Sequence, residues 1–292
     1  MKIFITGASG KIGNHIANYF LKKNFFCILN SRKKIFISST KKNYKLYKKN
    51  ILDKSFIIPD CDVVIHTAAI TPEPQNLRKV KLNEVIDKKI FFNLSINKNI
   101  KKLIFISTAA VYHKNNFQKK VNEKSKLHSK SEYSNYKLKS EKMFLTNKKI
   151  KIYNIRIPGL LLTGKENNFM SNLIKQIKNK KKITLFNPNQ MFNNILLIKN
   201  LNFFLHELLL KNFKSGTILL GSEIPLRLIK ITKIIAAYFK VKKYINWKID
   251  KKKGFYLNIH KATNGYNFSP INTRKSILEY LKITTKQKNV KK

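Results

Sequence analysis

The chain has 292 residues, 43% of them hydrophobic, which is enough to bury a substantial core and excludes an intrinsically disordered polymer. Lys and Arg number 61 against 14 Asp and Glu, a formal charge of +47, yet only five of the basic residues are arginines. The lysines are spread along the chain among many Ile and Asn residues, as codon bias from an A+T-rich genome would produce, so no specific nucleic-acid partner is expected and runs such as 180–182 and 251–253 read as solvated loops.

Residues 2–6 read as a strand and 11–23 as a helix, joined by Thr6-Gly7-Ala8-Ser9-Gly10-Lys11-Ile12-Gly13, which holds three of the nine glycines. Gly7 would allow a sharp turn, Gly10 a close approach of backbone N–H groups to phosphate, and Gly13 tight packing of helix on sheet. A structural strand-to-helix loop could use the same glycines. A strand at 25–30, a basic loop near 31–43 and short apolar segments lead to a strand at 62–66. Helices at 78–98 and 131–147 then alternate with strands at 102–107 and 150–156, which predicts an α/β fold with a doubly wound parallel sheet. Beyond Pro158 the pattern weakens into helices at 168–179, 199–211 and 226–239 and short strands at 182–186, 217–220 and 244–249. A last helix near 273–282 precedes a lysine-rich tail expected to fray. With a strand starting at Lys2, no apolar run long enough for a membrane span, and Cys27 and Cys61 lacking metal-site spacing, the expectation is a reduced cytoplasmic protein without a bound metal.

The chemistry is concentrated in two later segments. Residues 103–112, Leu-Ile-Phe-Ile-Ser-Thr-Ala-Ala-Val-Tyr, read as a buried strand ending in the hydroxyls of Ser107 and Thr108, and 25 positions after Thr108 comes Tyr133-Ser134-Asn135-Tyr136-Lys137. On a helix, Tyr133 and Lys137 share one face, so an ammonium lies near a phenol and favours its phenolate. Such a tyrosine can take a proton from a sugar hydroxyl, or return one, while hydride moves to or from a nicotinamide.

Taken in order, these features resemble the extended short-chain dehydrogenase/reductases, in particular the NAD-dependent epimerases and dehydratases acting on nucleotide sugars. The resemblance includes Thr6 to Gly13, Val63 to Ala69, Ser107 to Tyr112, Tyr133 to Glu141, Asn154 to Gly159, Phe192 to Ile195 and Gly265 to Pro270. It implies a Rossmann domain over 1–157 and a mainly substrate-binding lobe over 158–292, interleaved with it. It also implies a catalytic set of Thr108, Tyr133 and Lys137. NAD or NADP would be held by Gly7, Ser9, Gly10, Lys11, Ile12, Gly13, Ser31, Arg32, Asn50, Ile51, Thr67, Ala68, Ala69 and Pro158, together with Tyr133 and Lys137. Ser31 and Arg32 stand where an NAD-selective member usually has an acid, which leans the choice toward NADP. Ser107, Thr108, Asn193 and Asn194 are the expected contacts to a nucleoside-diphosphate sugar, and His66 is expected to be a structural hydrogen-bonding histidine.

Within the family, 4,6-dehydratases carry an Asp-Glu pair after the threonine; here Ala109 and Ala110 follow Thr108. A proton-moving cysteine near this strand end is also absent, which leaves 4-epimerisation or reduction of a 4-keto sugar. Other departures are His113 in place of a glycine, Ile198-Lys199-Asn200 in place of a segment with Val-Asp, and the lack of Gly-Thr in the helix after Asn83. The alternative is therefore a cofactor-binding, non-catalytic member, with the intact Tyr133, Lys137 and Thr108 favouring the enzyme. By resemblance, helices 78–98 and 131–147 would pair into a homodimer contact.

Overall fold

The computed structural model describes residues 1–38, 43–112, 120–127, 129, 131–162, 166–180, 183–241, 245–248 and 254–289; His113, Lys181, Lys182 and Lys251 to Lys253 lie outside the described residues. The main elements, in chain order, are β1 (Lys2–Thr6), α1 (Lys11–Lys22), β2 (Phe26–Asn30), β3 (Tyr44–Tyr47), β4 (Val63–His66), α2 (Leu82–Ile96), β5 (Lys102–Thr108), α3 (Glu132–Thr146), β6 (Lys151–Ile157), α4 (Phe169–Lys178), α5 (Ile198–Leu210), β7 (Gly216–Leu219), α6 (Leu228–Tyr238), α7 (His260–Tyr266) and α8 (Thr273–Asn289). They fall into two compact units. One comprises residues 1–111, 129–156 and 202–218, the other 112–128, 157–201 and 219–292.

The first unit is built on a seven-stranded sheet in the order β7-β6-β5-β4-β1-β2-β3. β1 lies parallel to both β2 and β4, with Ile3 opposite Cys27 on one side and Val63 on the other. Strand order therefore reverses between β1 and β4, and it is outside the carboxyl ends of strands at such a reversal that doubly wound sheets bind ligands. The inner strands are buried on both faces, which is why they read as continuous apolar runs. Phe4, Ile28, Val64 and Phe105 pack with Ile86, Ile90 and Leu94 of α2 and Phe144 of α3. Against α1, the His206 ring of α5 sits 6.1 Å from Tyr19, 6.2 Å from Phe20 and 5.6 Å from Phe25.

β3 was not legible as a strand. Tyr-Lys-Leu-Tyr is short and half exposed, and it holds its place as an edge strand by pairing with β2 and by the edge-on contact of Tyr47 with Phe4 at 5.8 Å. The segment 217–220, expected among the irregular strands after Pro158, instead supplies the outer strand β7 of this sheet. The Lys102 ammonium of β5 donates to the carbonyls of Leu208, Leu209 and Lys211, closing the carboxyl end of α5 with a positive charge where unpaired carbonyls accumulate.

In the second unit α4, α6 and α8 share a core of Leu173, Ile174, Ile177, Ile231, Ile235, Ile277 and Leu281. Gly159–Leu161 pairs in parallel with Ile195–Leu197, and Ile183–Phe186 with Ile245–Lys248. α4 starts at a capping box in which Asn168 and Ser171 satisfy each other's backbone N–H groups. α8 runs past the expected stop near 282 to Asn289, because Ile-Thr-Thr-Lys-Gln-Lys contains no glycine or proline to end it. Among the described residues no helix is long and apolar enough to cross a membrane.

Candidate functional site

The loop between β1 and α1 is shaped for close approach. Gly7 has φ +66°, and a Cβ there would come within 2.8 Å of Ala68 Cα; a Cβ on Gly13 would lie 2.4 Å from the Gly7 carbonyl oxygen. Both positions therefore require glycine, one for its backbone angle and both for space. The Gly10 N–H donates to the Gly7 carbonyl at 2.8 Å, and α1 starts at Gly10 with no side-chain cap, so the first-turn N–H groups of Lys11, Ile12 and Gly13 form an uncapped, partially positive cradle. Its walls are tied together. Thr6 Oγ1 accepts from the N–H groups of Thr67 and Ala68 at 3.2 and 3.1 Å, Thr67 Oγ1 donates to the Thr6 carbonyl at 2.6 Å, and the Ala8 N–H donates to the Asn30 carbonyl at 3.0 Å.

At the end of β2, Ser31 is buried and donates from its hydroxyl to Ser9 Oγ at 2.6 Å, while Arg32 is exposed. The Asn30 amide is spent on the carbonyls of Tyr47 and Lys49. Asn50 forms a turn, its Oδ1 accepting from the Leu52 N–H, and Ile51 is buried against the core. Thus Ser9, Ser31 and the Gly7–Gly13 loop are brought together, with no carboxylate at the tip of β2.

α3 starts with Ser131 capping the N–H of Ser134 and packs against β5 and the short turn Ala109–Val111. Lys137 is only 2% exposed. Its ammonium donates to the Ile106 carbonyl at 3.1 Å and lies 4.3 Å from the centre of the Phe105 ring and 5.9 Å from that of Tyr133. Thr108 and Tyr133 are both partly exposed, and Thr108 Oγ1 accepts from the Ala110 N–H at 3.1 Å. Ser107, by contrast, is turned inward. Successive strand residues face opposite sides, and its hydroxyl donates to Glu141 Oε1 at 2.5 Å. Glu141 in turn accepts the one Nε–H of Arg156, shared between its two oxygens at 3.0 and 3.1 Å, and a hydrogen bond from a terminal guanidinium nitrogen at 2.6 Å, all buried. Ser107, expected to contact substrate, thus has its hydroxyl engaged with Glu141 between α3, β5 and β6.

His66 is fully buried, as the structural reading expected. Its Nδ1 meets Thr6 Oγ1 at 2.7 Å and its Nε2 meets Asp87 Oδ1 at 2.8 Å. Burial pushes the imidazole below its ordinary value in spite of the neighbouring carboxylate, and the nearby Lys137 charge pushes the same way. Burial opposes the charge of Asp87, yet the Lys137 ammonium, His66 and Ser140 hold its carboxyl below the usual range. The pair is therefore a neutral imidazole donating from Nε2 to a carboxylate, with Ser140 Oγ donating to the other oxygen at 2.5 Å. Asn83 clamps the loop after β4 by exchanging two hydrogen bonds with the Ile70 backbone, at 2.8 and 2.9 Å. Sequence reasoning did not single out Asp87, Ser140 or Asn83 as functional; they are polar residues at buried positions of α2 and α3.

In the second unit, Pro158 precedes the Gly159–Leu161 strand and is partly exposed. Asn193 was expected to contact sugar, but its side chain is buried and consumed by the backbone. Its amide donates to the carbonyls of Ser222 and Leu257, both at 2.9 Å, and its Oδ1 accepts from the Leu257 N–H at 2.7 Å. Asn194 differs: its Oδ1 is buried without a hydrogen-bond partner among the described residues, and its backbone carbonyl accepts from Gly159 N–H.

A glycine-lined helix N-terminus at the reversal of strand order, with a buried lysine beside a tyrosine on the helix packed against β5, defines an α/β protein of the dinucleotide-binding type. The profile of the NAD dependent epimerase/dehydratase family matches residues 3–194, and the chain belongs to that family. A dTDP-D-glucose 4,6-dehydratase from Dictyostelium discoideum is 29% identical over 177 residues, covering 48% of this chain; the match spans only 38% of that relative's length. The UDP-glucuronic acid 4-epimerase of Bacillus cereus, solved in complex with NAD, aligns over 98% of this chain and 99% of its own at TM-score 0.78 and 23% identity. The UDP-N-acetylglucosamine 4-epimerase of Methanobrevibacter ruminantium M1, in complex with UDP-N-acetylmuramic acid, aligns over 98% of both chains at TM-score 0.79 and 18% identity. At these identities the likeness to the two epimerases is one of fold.

Proposed function

We propose that the protein is an NAD(P)-dependent nucleotide-sugar 4-epimerase or 4-keto-sugar reductase, with Tyr133 as acid/base. The observation that carries this reading is Lys137, buried beside Tyr133 on α3 with its ammonium held by the Ile106 carbonyl. The residues around the glycine loop fit a dinucleotide: a Cβ would fill the space at Gly7 and Gly13, and the N–H groups at the start of α1 are free of side-chain caps. Gly7 to Gly13, Ser9, Ser31, Arg32, Asn50, Ile51 and Thr67 to Ala69 would hold it, with Pro158 as a further contact. When bound, the dinucleotide supplies hydride acceptance and donation at its nicotinamide ring.

This chain's residues do the rest. Tyr133 removes the proton from the sugar 4-hydroxyl and returns it to the 4-oxygen after the ring face is exchanged, or protonates a keto oxygen in the reductase direction. Lys137 lays its positive charge on the same face of α3 as the Tyr133 ring, and Thr108 offers a hydroxyl to the same substrate oxygen. Ala109 and Ala110 place no carboxylate after Thr108, so elimination of water across C5 and C6 has no acid/base pair there; hence epimerisation or reduction rather than 4,6-dehydration. Asn194, with an unpartnered amide oxygen, supports a substrate contact better than Asn193.

Ser31 and exposed Arg32 at the tip of β2, with no acid beside them, favour acceptance of NADP alongside NAD, since a guanidinium pairs with a 2′-phosphate that a carboxylate would repel. The exposed Val85, Phe92 and Ile96 on one face of α2 support a homodimer through α2 and α3; a monomer by light scattering at working concentration would remove it. The reaction itself is tested by incubating the purified protein, with NAD(H) and separately with NADP(H), with a panel of nucleoside-diphosphate sugars and their 4-keto forms. Conversion of at least one member is expected. Cofactor binding with no conversion across the panel would favour the non-catalytic reading.

A further inference from the structure

Gly7 and Gly13 are both fitted to the same short segment of the neighbouring loop. A Cβ on Gly7 would come within 2.8 Å of Ala68 Cα and 2.9 Å of its nitrogen, and one on Gly13 within 2.7 Å of Thr67 Oγ1. The position of Thr67 and Ala68 therefore sets the width of the cradle. One buried side chain holds both residues: Thr6 Oγ1 accepts the N–H of Thr67 at 3.2 Å and that of Ala68 at 3.1 Å.

A hydroxyl has two lone pairs and one proton. Both lone pairs of Thr6 are committed to the backbone, so its proton goes to His66 Nδ1, 2.7 Å away. Nδ1 must then be the bare nitrogen, and the ring proton sits on Nε2, which donates to Asp87 Oδ1 at 2.8 Å. The other oxygen of Asp87 takes the Ser140 hydroxyl at 2.5 Å. Donation thus runs one way, from the Thr67 and Ala68 amides to Thr6, then to His66, then to Asp87. A reversed or doubly protonated imidazole would set an N–H against the Thr6 hydroxyl and force Thr6 to release one of the two amides. The surroundings of the ring prevent this. Phe105 of β5 stacks on it at 5.6 Å, Phe144 of α3 meets it edge-on at 6.2 Å, Asp87 of α2 offers only acceptors, and the Lys137 charge of α3 opposes a second ring proton. Asp87 also lies in the helix after Asn83, one of the places where the chain departs from the sequences it resembles.

We propose that His66, oriented by Asp87, is a positioning residue for the dinucleotide: by taking the Thr6 proton it fixes Thr6 as a double acceptor and so holds the Thr67–Ala68 wall of the glycine cradle. The binding consequence rests on the dinucleotide reading of that loop, whereas the direction of the hydrogen bonds is measurable in the unliganded protein.

The test compares His66→Asn with His66→Leu. The two side chains have nearly the same shape and both give up the ring, but only the Asn amide oxygen can take the Thr6 proton. In His66→Leu the Thr67 and Ala68 amide protons are expected to exchange with solvent about tenfold faster than in His66→Asn, and NAD(H) or NADP(H) to bind about tenfold more weakly by titration calorimetry, as for the loss of one hydrogen bond. Equal exchange and affinity in the two variants would overturn the proposal, as would slower exchange and tighter binding in His66→Leu, the result expected of a ring that only packs. In the parent, 15N spectra of histidine-labelled protein, with His66 assigned by its contacts to the Phe105 and Phe144 rings, are expected to show a protonated Nε2 and a bare Nδ1 at neutral pH. The reverse tautomer or a doubly protonated ring overturns the proposal. Circular dichroism reports folding, and where either variant does not fold the nitrogen spectrum of the parent decides. If the parent binds neither dinucleotide, amide exchange and the nitrogen spectrum still decide the hydrogen-bond order, so it and the dinucleotide reading fail separately.

Discussion

Gly13→Ala is the sharpest perturbation of the nucleotide loop, because helix propensity and packing pull in opposite directions there. Alanine in a helix is worth about 0.5–1 kcal/mol more than glycine. At Gly13, however, the added Cβ would lie 2.4 Å from the Gly7 carbonyl oxygen, 2.7 Å from Thr67 Oγ1 and 2.9 Å from the Gly7 carbonyl carbon. Two of these are backbone atoms, so relief requires α1 to move away from the loop. Overpacking of this kind costs roughly 1–3 kcal/mol, leaving a net loss of about 0–2.5 kcal/mol. The displacement also separates the first turn of α1 from Gly7, so dinucleotide affinity should fall about tenfold or more, a loss of about 1.4 kcal/mol in binding. Two glycines calibrate the measurement. Gly265, in α7, has nothing within 4 Å of a built Cβ, so Gly265→Ala should be neutral or stabilising by about 0.5 kcal/mol. Gly10 has φ −70° and a nearest contact of 3.1 Å, so Gly10→Ala falls between the two. Urea unfolding gives stability and titration calorimetry gives affinity. Gly13→Ala with parental affinity and the stability gain of an unhindered helix position, as expected for Gly265→Ala, would refute the packing argument.

The Glu141–Arg156 pair is buried and shares Glu141 with Ser107, so Glu141→Gln should cost about 3–5 kcal/mol by stranding a guanidinium, and Glu141→Gln with Arg156→Met should recover part of it; urea midpoints of the single and double variants decide. Acid should destabilise the fold in two stages. His66 is held below its ordinary value inside, so unfolding takes up a proton below about pH 6.5, and its contribution, present above that pH, is lost as pH falls through the folded value. Asp87 is likewise depressed, and its contribution is lost further down, below about pH 4. Urea midpoints between pH 4 and 8 should therefore fall on acidification, and His66→Gln should flatten the upper stage; an unchanged slope in that variant would contradict the assignment.

The first unit was readable because its inner strands are short apolar runs, the first closed by Gly7, and because Tyr133 and Lys137 sit four apart on a helix with a visible cap at Ser131. β3 escaped because edge strands carry polar residues and announce themselves only through the strand they pair with. The allocation of hydroxyl and amide side chains was harder. Ser107 and Thr108 are adjacent and chemically alike, and only the facing Glu141 decides that Ser107 turns inward. Asn193 and Asn194 are identical in type, yet one is consumed by the Ser222 and Leu257 backbones and the other keeps an oxygen with no partner among the described residues. Such distinctions depend on partners 29 to 64 positions away, which local sequence does not encode.

The most direct test of the central claim is hydride transfer by the parent and by Tyr133→Phe, after each has been shown to bind NAD(H) or NADP(H). Equal cofactor affinity within about twofold and a loss of turnover of about a hundredfold or more are expected on removing the phenol oxygen. A phenylalanine variant that binds cofactor and turns over at the parental rate would remove Tyr133 from the chemistry. Failure of the parent to bind either dinucleotide would contradict the reading of the glycine loop on which the rest is built.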